Sequence, residues 1–439
     1  MPYRSHIRVI VIVLTIMGFC AALFVGMIIN TNIIGIALSL FLVTNVIVRE
    51  YVVKGNWLTM GTIFSVLWFL YTNANLVNNY NNELFLSQYN IKAFIGYCLA
   101  FIAFMGAYWF FPVKLSHKYL RINGRTVTKV VVFCSVLSLV IMVYYYLRVL
   151  GIHNILSLSR ASRSLIVSNM RFTFLFAGIR DFLYLVPPTL YLLYSRTQYT
   201  PAKIMVIITV VFNVSMALLT IDRSNLLFAT LPIGYLLIKD RRVNKFVLLS
   251  IVIIAFVLLV DFKSTMSSLI NQRRLVPVRI NIPEEFLGSF QITAHIMKGL
   301  ETGEIEFAFG KTYLDTIKTT VFPLTDVEPL SIWYVRTYRY DVYSRGGGLA
   351  FSSVAEAYMN LGFIAVFLYF FLIGLFVRLL EKRKDTNDLA LIMYSLIFPL
   401  TYKFFRSEAY SLIKTGVWFW VLPLFLFYVL YQMTMQRAR

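Results

Sequence analysis

Apolar runs of about twenty residues recur along the whole of this chain, and no other feature constrains its fold so tightly. Each run can cross a hydrocarbon layer of about 30 Å as a helix. In lipid the backbone must satisfy its own hydrogen bonds, which leaves helices or a closed barrel. A barrel needs alternating segments of about ten residues, and the sequence has none. Hydrophobic residues fill 59% of the 439 positions, against roughly 45–50% in soluble domains. The expected fold is all-α, a polytopic membrane helical bundle.

Spans are expected at 8–29, 32–48, 57–77, 93–112, 130–150, 172–194, 204–221, 225–238, 246–262, 354–377, 389–405 and 414–433, about 12 in all. The eighth is short enough to be a half-helix, and the polar turn "IDRSN" joins it to the seventh. The first follows basic residues, as a signal peptide does. It is long enough to span and no clear cleavage site follows, so it reads as a retained helix.

The net charge of +21 suggests nucleic acid only in a soluble protein. Here the short loops account for much of it. With the N-terminus inside, 21 Lys and Arg fall on one side and nine in the short loops opposite. The positive-inside rule then places both termini in the cytoplasm. The expected organisation is 1–262 as a bundle of about nine helices, 263–353 as one large extracytoplasmic loop containing short helices, and 354–439 as about three further spans.

The outer loop ends on "RTYRYDVYSRGGGLAFSSVAEAYMNLG", Arg336 to Gly362. Arg336, Arg339 and Arg345 alternate there with Tyr338, Tyr340 and Tyr343. Tyrosines at this depth serve as interfacial anchors. They also suit a sugar carried on a lipid phosphate, because aromatic faces fit sugar rings and guanidinium forks fit phosphate oxygens. Gly346, Gly347 and Gly348 permit close backbone approach or a hinge. "SVAE", Ser353 to Glu356, matches a capping box; the same Glu356 is placed to accept a proton from a sugar hydroxyl. The stretch "NIPEEFLGSFQITAHIMKGLETGEIEF" suits short amphipathic helices lying on the membrane or roofing a cavity.

Arg223 in "TIDRSN", and Arg406 with Glu408 in "YKFFRSEAYS", fall on the same outer face, where basic residues are the minority. Arg180 and Asp181 lie within the sixth span, where charge is costly and usually functional. As neighbours they do not share a helix face. Arg160, Arg163 and Arg171 recur on a serine-rich outer segment suited to lipid phosphates. Cys20, Cys98 and Cys134 all sit in apolar runs, so neither a disulfide framework nor a metal site is indicated. No Walker-type loop and no acidic pair in the first outer loop appear, and no cofactor or metal is expected.

With those residues in place, the chain resembles the bacterial oligosaccharide repeat-unit polymerases, the Wzy type. The resemblance rests on the span plan, on the late outer loop, on "RGGGLAFSSVAEAYMNLGFIAVF", and on "DRSN" and "FFRSE". It implies a GT-C-like fold in the bacterial inner membrane with the active site facing the periplasm. It implies a metal-independent glycosyltransferase that polymerises undecaprenyl-pyrophosphate-linked oligosaccharide repeat units into O-antigen or capsular polysaccharide. Membrane lipids, a Wzz-type chain-length regulator and a flippase are the implied partners, and nucleic acid is not. On this reading Glu356, Glu408, Arg345 and Arg406 are catalytic. Arg223, Arg336, Arg339 and Arg180 bind pyrophosphate, and Tyr338, Tyr340 and Tyr343 bind sugar.

Three other readings stand beside it. An O-antigen ligase has the same chemistry and a different acceptor, with His295 available in the loop. A flippase or secondary carrier should show repeats, which are not visible here. A non-catalytic scaffold gives the outer arginines no role.

Overall fold

A computed structural model describes residues 32–78, 88–113, 120–122, 124–150, 173–220, 223–244, 282–322, 325, 327–344 and 349–437. Its helices are α1 (Asn32–Lys54), α2 (Met60–Asn78), α3 (Gln88–Phe110), α4 (Arg125–Tyr144), α5 (Thr173–Thr197), α6 (Thr200–Thr220) and α7 (Arg223–Lys239). The region expected to be the large loop supplies α8 (Ile282–Thr302), α9 (Lys311–Val321), α10 (Leu330–Tyr338) and α11 (Tyr340–Tyr343). α12 (Ser353–Arg383), α13 (Asp388–Phe404), α14 (Ala409–Gly416) and α15 (Leu422–Arg437) complete the chain. Single π-turns extend α4 and join α14 to α15. Among the described residues there is no strand, only one isolated bridge between Leu120 and Asn387.

Ten of the expected spans coincide with these helices; the spans at 8–29 and 246–262 lie outside the described residues. Among the described residues five helical stretches are long and apolar enough to cross a membrane: Gln88–Phe110, Arg125–Leu147, Thr200–Leu219, Ser353–Arg383 and Ala409–Thr434. α7 is the short apolar helix that the sequence suggested, with Pro232 inside it.

The core is aromatic. Phe64 stacks on Phe104 with centroids 3.7 Å apart, and Phe405 sits 5.0 Å from Phe64 and 5.5 Å from Tyr71. Flat rings fill the space between α2, α3, α12 and α13 at low entropic cost. α5 runs unbroken through Pro187 and Pro188. Pro187 has no N–H for the carbonyl of Leu183; Asn213 of α6 donates to that oxygen instead, at 2.9 Å.

α8 departs from expectation. The stretch forms one helix of 21 residues packed on α2, α3 and α12, rather than short helices on a surface. Phe286, Phe290, Ile292, Ile296 and Met297 bury more than one face of it. The small polar residues Ser289 and Thr293 let it enter the bundle. Thr293 donates to the Ser289 carbonyl at 2.8 Å and pairs with Ser352 at 2.8 Å.

α12 breaks near its N-terminal end. Leu361 (φ −144°, ψ 33°) and Gly362 (φ 63°, ψ −149°) are non-helical. That Gly362 conformation is essentially reserved for glycine. The break frees two carbonyls, and the preceding loop takes both. Ala308 N–H donates to Met359 O at 2.9 Å, and Phe309 N–H donates to Asn360 O at 3.1 Å.

Three of the basic residues that the charge pattern assigned to one side meet at one end of the bundle. Lys54 pairs with Glu50 at 2.6 Å and Glu381 at 2.9 Å, Arg196 with Asp388 at 2.5 Å, and Lys239 with Asp385 at 2.9 Å. Glu356 lies toward the other end of α12, roughly 35 Å away at about 1.5 Å per residue.

Candidate active site

Two glutamates from distant segments meet at the N-terminal end of α12. Ser352 caps this helix, accepting from Ala355 N–H at 3.0 Å. The cap is therefore one residue earlier than the capping box read from "SVAE". Glu356 does not fold back on its own helix. Its Oε2 accepts from the N–H of Ala409, the first residue of α14, at 2.5 Å. Ser353 reinforces the joint by donating to Ser407 O at 2.6 Å.

Glu408 repeats the arrangement one step on. It precedes α14, and its carboxylate reaches the first turn of α10, accepting from Ser331 N–H at 2.8 Å and Ser331 Oγ at 3.2 Å. Helix N-termini leave N–H groups unpaired and carry partial positive charge, so carboxylates settle there. The result is a relay: α12 holds α14, and the residue before α14 holds α10.

Glu356 is 1% exposed and Glu408 4% exposed. Among the described residues neither forms an ion pair. Burial, with Glu356 nearby as the next cause, pushes the Glu408 carboxyl up to about 8. A carboxyl raised in the folded state binds a proton that the unfolded chain has lost, so the stability it confers is complete below the unfolded value near 4.5. That stability is lost as pH rises through about 8. Wild-type protein is thus expected to lose thermal stability between pH 5 and 8, and Glu408→Gln to flatten that decline. A melting series in detergent across this range checks it; parallel curves for the two proteins would refute it.

Next to the glutamates, Tyr313 of α9 stacks on Tyr369 of α12, with centroids 5.8 Å apart and planes 13° apart. The Tyr313 hydroxyl is buried with no hydrogen-bond partner, an unusual state for a polar group. Asn360 ties the turn to α9, donating to Thr312 Oγ1 at 2.7 Å and to Glu356 O at 2.8 Å.

The structure disperses several of the arginines read from the sequence. Arg336 pairs with Glu328 at 2.8 Å and Arg339 with Asp341 at 3.1 Å, both at exposed positions. Arg406 is beside the glutamates in sequence and turns inward, donating from Nη1 to Tyr402 OH at 2.5 Å. Arg180 curls back on its neighbour Asp181 at 3.2 Å, because its long side chain overrides the adjacent-residue geometry. The Asp181 carbonyl also accepts from Trp420 Nε1 at 3.0 Å, locking α5 to the π-turn after α14. Arg223 opens α7. Arg345, Arg160, Arg163 and Arg171, with Gly346, Gly347 and Gly348, lie outside the described residues.

Nor do the three tyrosines act together. Tyr338 packs inward against His295, Tyr334 and Trp333, at centroid distances of 4.8, 5.3 and 5.9 Å. Tyr340 and Tyr343 face out, 5.8 Å apart. His295 Nδ1 lies 3.0 Å from Tyr334 OH. Ser331 and Tyr313 carry no signal in the sequence, and Ser353, expected there as the helix cap, serves the joint instead; only the polar spacing of "SSVAEAYMN" hinted at a joint. Among the described residues no three His, Cys, Asp or Glu side chains come together.

The family model for O-antigen polysaccharide polymerase Wzy matches residues 7–437. The chain belongs to the O-antigen polysaccharide polymerase Wzy family. No curated protein and no solved structure matched it at a significant level. The match covers nearly all of this Wzy chain, including every helix above. It makes the chain a multi-pass membrane protein of O-antigen biosynthesis and a polysaccharide polymerase.

Proposed function

We propose that this Wzy chain joins repeat units carried on undecaprenyl pyrophosphate, at the outer face of the inner membrane, without a metal. Residues 263–353 form its periplasmic loop, and the bundle belongs to the GT-C-like class. In the reaction, the bond between the anomeric carbon of the growing chain and its pyrophosphate oxygen breaks. A bond forms from that carbon to a hydroxyl oxygen of the incoming unit. The hydroxyl proton passes to Glu356, and the lipid leaves as its pyrophosphate.

The observation that carries this reading is the pair of buried carboxylates, drawn from separate segments and free of ion pairs among the described residues. A carboxylate with no cation beside it keeps its basicity and can accept the proton. Glu408, raised by burial, is largely protonated near neutral pH and complements Glu356 as a hydrogen-bond donor to substrate oxygens.

Negative charge develops on the departing pyrophosphate. Arg345 and Arg406 are assigned to stabilise it, with Arg223, Arg336, Arg339 and Arg180 contributing to the binding of the two lipid diphosphates. The ion pairs of Arg336 and Arg339 are exposed, and such pairs are worth about 0–1 kcal/mol. An arriving diphosphate can therefore displace them at little cost. Tyr340 and Tyr343 present open faces to sugars, and Arg160, Arg163 and Arg171 are assigned to lipid phosphate. A chain-length regulator and a flippase would act as neighbours.

The test supplies lipid-linked repeat units to the purified protein and resolves the products by length. An Arg336→Ala, Arg345→Ala double variant is expected to lose about 100-fold or more in rate, as oxyanion donors do. Polymer formed at the wild-type rate would remove these arginines from the mechanism.

A further inference from the structure

The end of the bundle remote from Glu356 contains a hollow of about 880 Å³. Small-molecule sites occupy roughly 300–1,000 Å³. Its wall carries Lys54, Lys239, Arg241, Arg378, Lys382 and Lys384, against only Glu381 and Asp385. Both carboxylates are engaged, Glu381 by Lys54 and Asp385 by Lys239, each at 2.9 Å.

Among the described residues Arg241 and Lys384 form no ion pair. Arg378 comes only within 3.5 Å of Glu381, the limit of a hydrogen bond. Its Nε is buried with no acceptor. Lys384 stands over the ring of Tyr394 at 4.2 Å and lies 5.7 Å from that of Tyr235. Arg241 is held at φ 57°, a left-handed conformation that non-glycine residues rarely take. Positive charge gathered in a concave wall concentrates its field on whatever enters. A buried guanidinium donor without an acceptor costs free energy until an oxygen fills its place.

We propose that this hollow is a binding site for a phosphate-bearing anion, a phosphomonoester or a diphosphate, held by Arg378, Arg241 and Lys384. Guanidinium forks match phosphate oxygens in pairs, and the ammonium of Lys384 adds a point charge. Leu58, Ile238 and Val243 also line the wall, so a phosphate on an apolar tail fits as well as a free ion. The site stands apart from the polymerase reading, and its test does not depend on polymer being made.

The test uses the full chain in nanodiscs of phosphatidylcholine, with an amine-reactive label read by mass spectrometry at Lys382, Lys384 and, as control, Lys311. Lys311 is exposed at the start of α9. Two probes are compared: inorganic pyrophosphate in solution, and phosphatidic acid replacing part of the lipid. Labelling of Lys384 and Lys382 is expected to fall about tenfold at a probe level near ten times Kd, with Lys311 unchanged. Arg241→Gln and Arg378→Gln should each abolish that protection. Arg241 is exposed, so its variant keeps the fold and carries the test if Arg378→Gln aggregates. Protection by phosphatidic acid alone assigns a lipid headgroup, and protection by pyrophosphate alone assigns a soluble anion. No protection by either probe, equal protection of Lys311, or protection unchanged in Arg241→Gln would overturn the site.

Discussion

Glu356→Gln is expected to stop polymer synthesis while leaving the protein folded. Glutamine keeps a side-chain oxygen to accept from Ala409 N–H, so the joint between α12 and α14 survives. What it cannot do is take a proton from a sugar hydroxyl. General-base groups contribute about 10²–10⁴-fold, so product should fall by at least about 100-fold in a lipid-linked repeat-unit assay. The melting temperature should stay close to wild type. Glu356→Ala serves as the structural counterpart: it removes the acceptor as well, leaves the Ala409 amide buried and unpaired, and should lower stability by about 1–3 kcal/mol. Full activity in Glu356→Gln would reduce this residue to a helix cap, and the base would have to be sought elsewhere.

The second large effect is at the opposite end and concerns stability alone. Glu381 is 7% exposed and accepts from Lys54 at 2.9 Å, Tyr108 at 2.8 Å and Tyr394 at 3.3 Å. It gathers α1, α3, α12 and α13 at one point. Glu381→Ala leaves Lys54 with Glu50 and the Tyr108 hydroxyl as its remaining partners, and takes away the carboxylate that accepts from the buried hydroxyls of Tyr108 and Tyr394. Breaking a buried pair from one side costs about 3–5 kcal/mol, and the variant should unfold at markedly lower temperature or fail to insert. A Glu381→Gln variant, which still accepts from both tyrosines, should recover part of the loss. Thermal unfolding of the three proteins side by side measures this. Equal midpoints would mean that the network contributes nothing to stability.

The membrane helices were legible because twenty apolar residues have few other uses. α3, α6 and α12 are announced by their runs alone, and the charge count gathered the residues that now meet around Lys54, Asp385 and Asp388. α8 was harder, because a helix buried on several faces by Phe286, Phe290 and Ile296 has the same apolar content as one lying on a surface. The direction of burial is a property of its neighbours. The site was half legible. Glu356 and Glu408 stand out as acids among apolar residues, yet their meeting depends on how α12 and α14 pack. The arginines show the converse limit. Sequence reveals where a guanidinium is attached but not which acid takes it, so the hold of Glu328 on Arg336 and of Tyr402 on Arg406 was invisible.

The break in α12 changes what the loop before α9 is for. With Ala308 and Phe309 bonded to the carbonyls that Gly362 releases, the strip between Gly303 and Gly310 is a splint across a fracture. Adding one residue there would slide both donors out of step, and the glutamate turn would swing loose from the shaft below it. Tolerance to length is therefore set by which backbone amides are already committed.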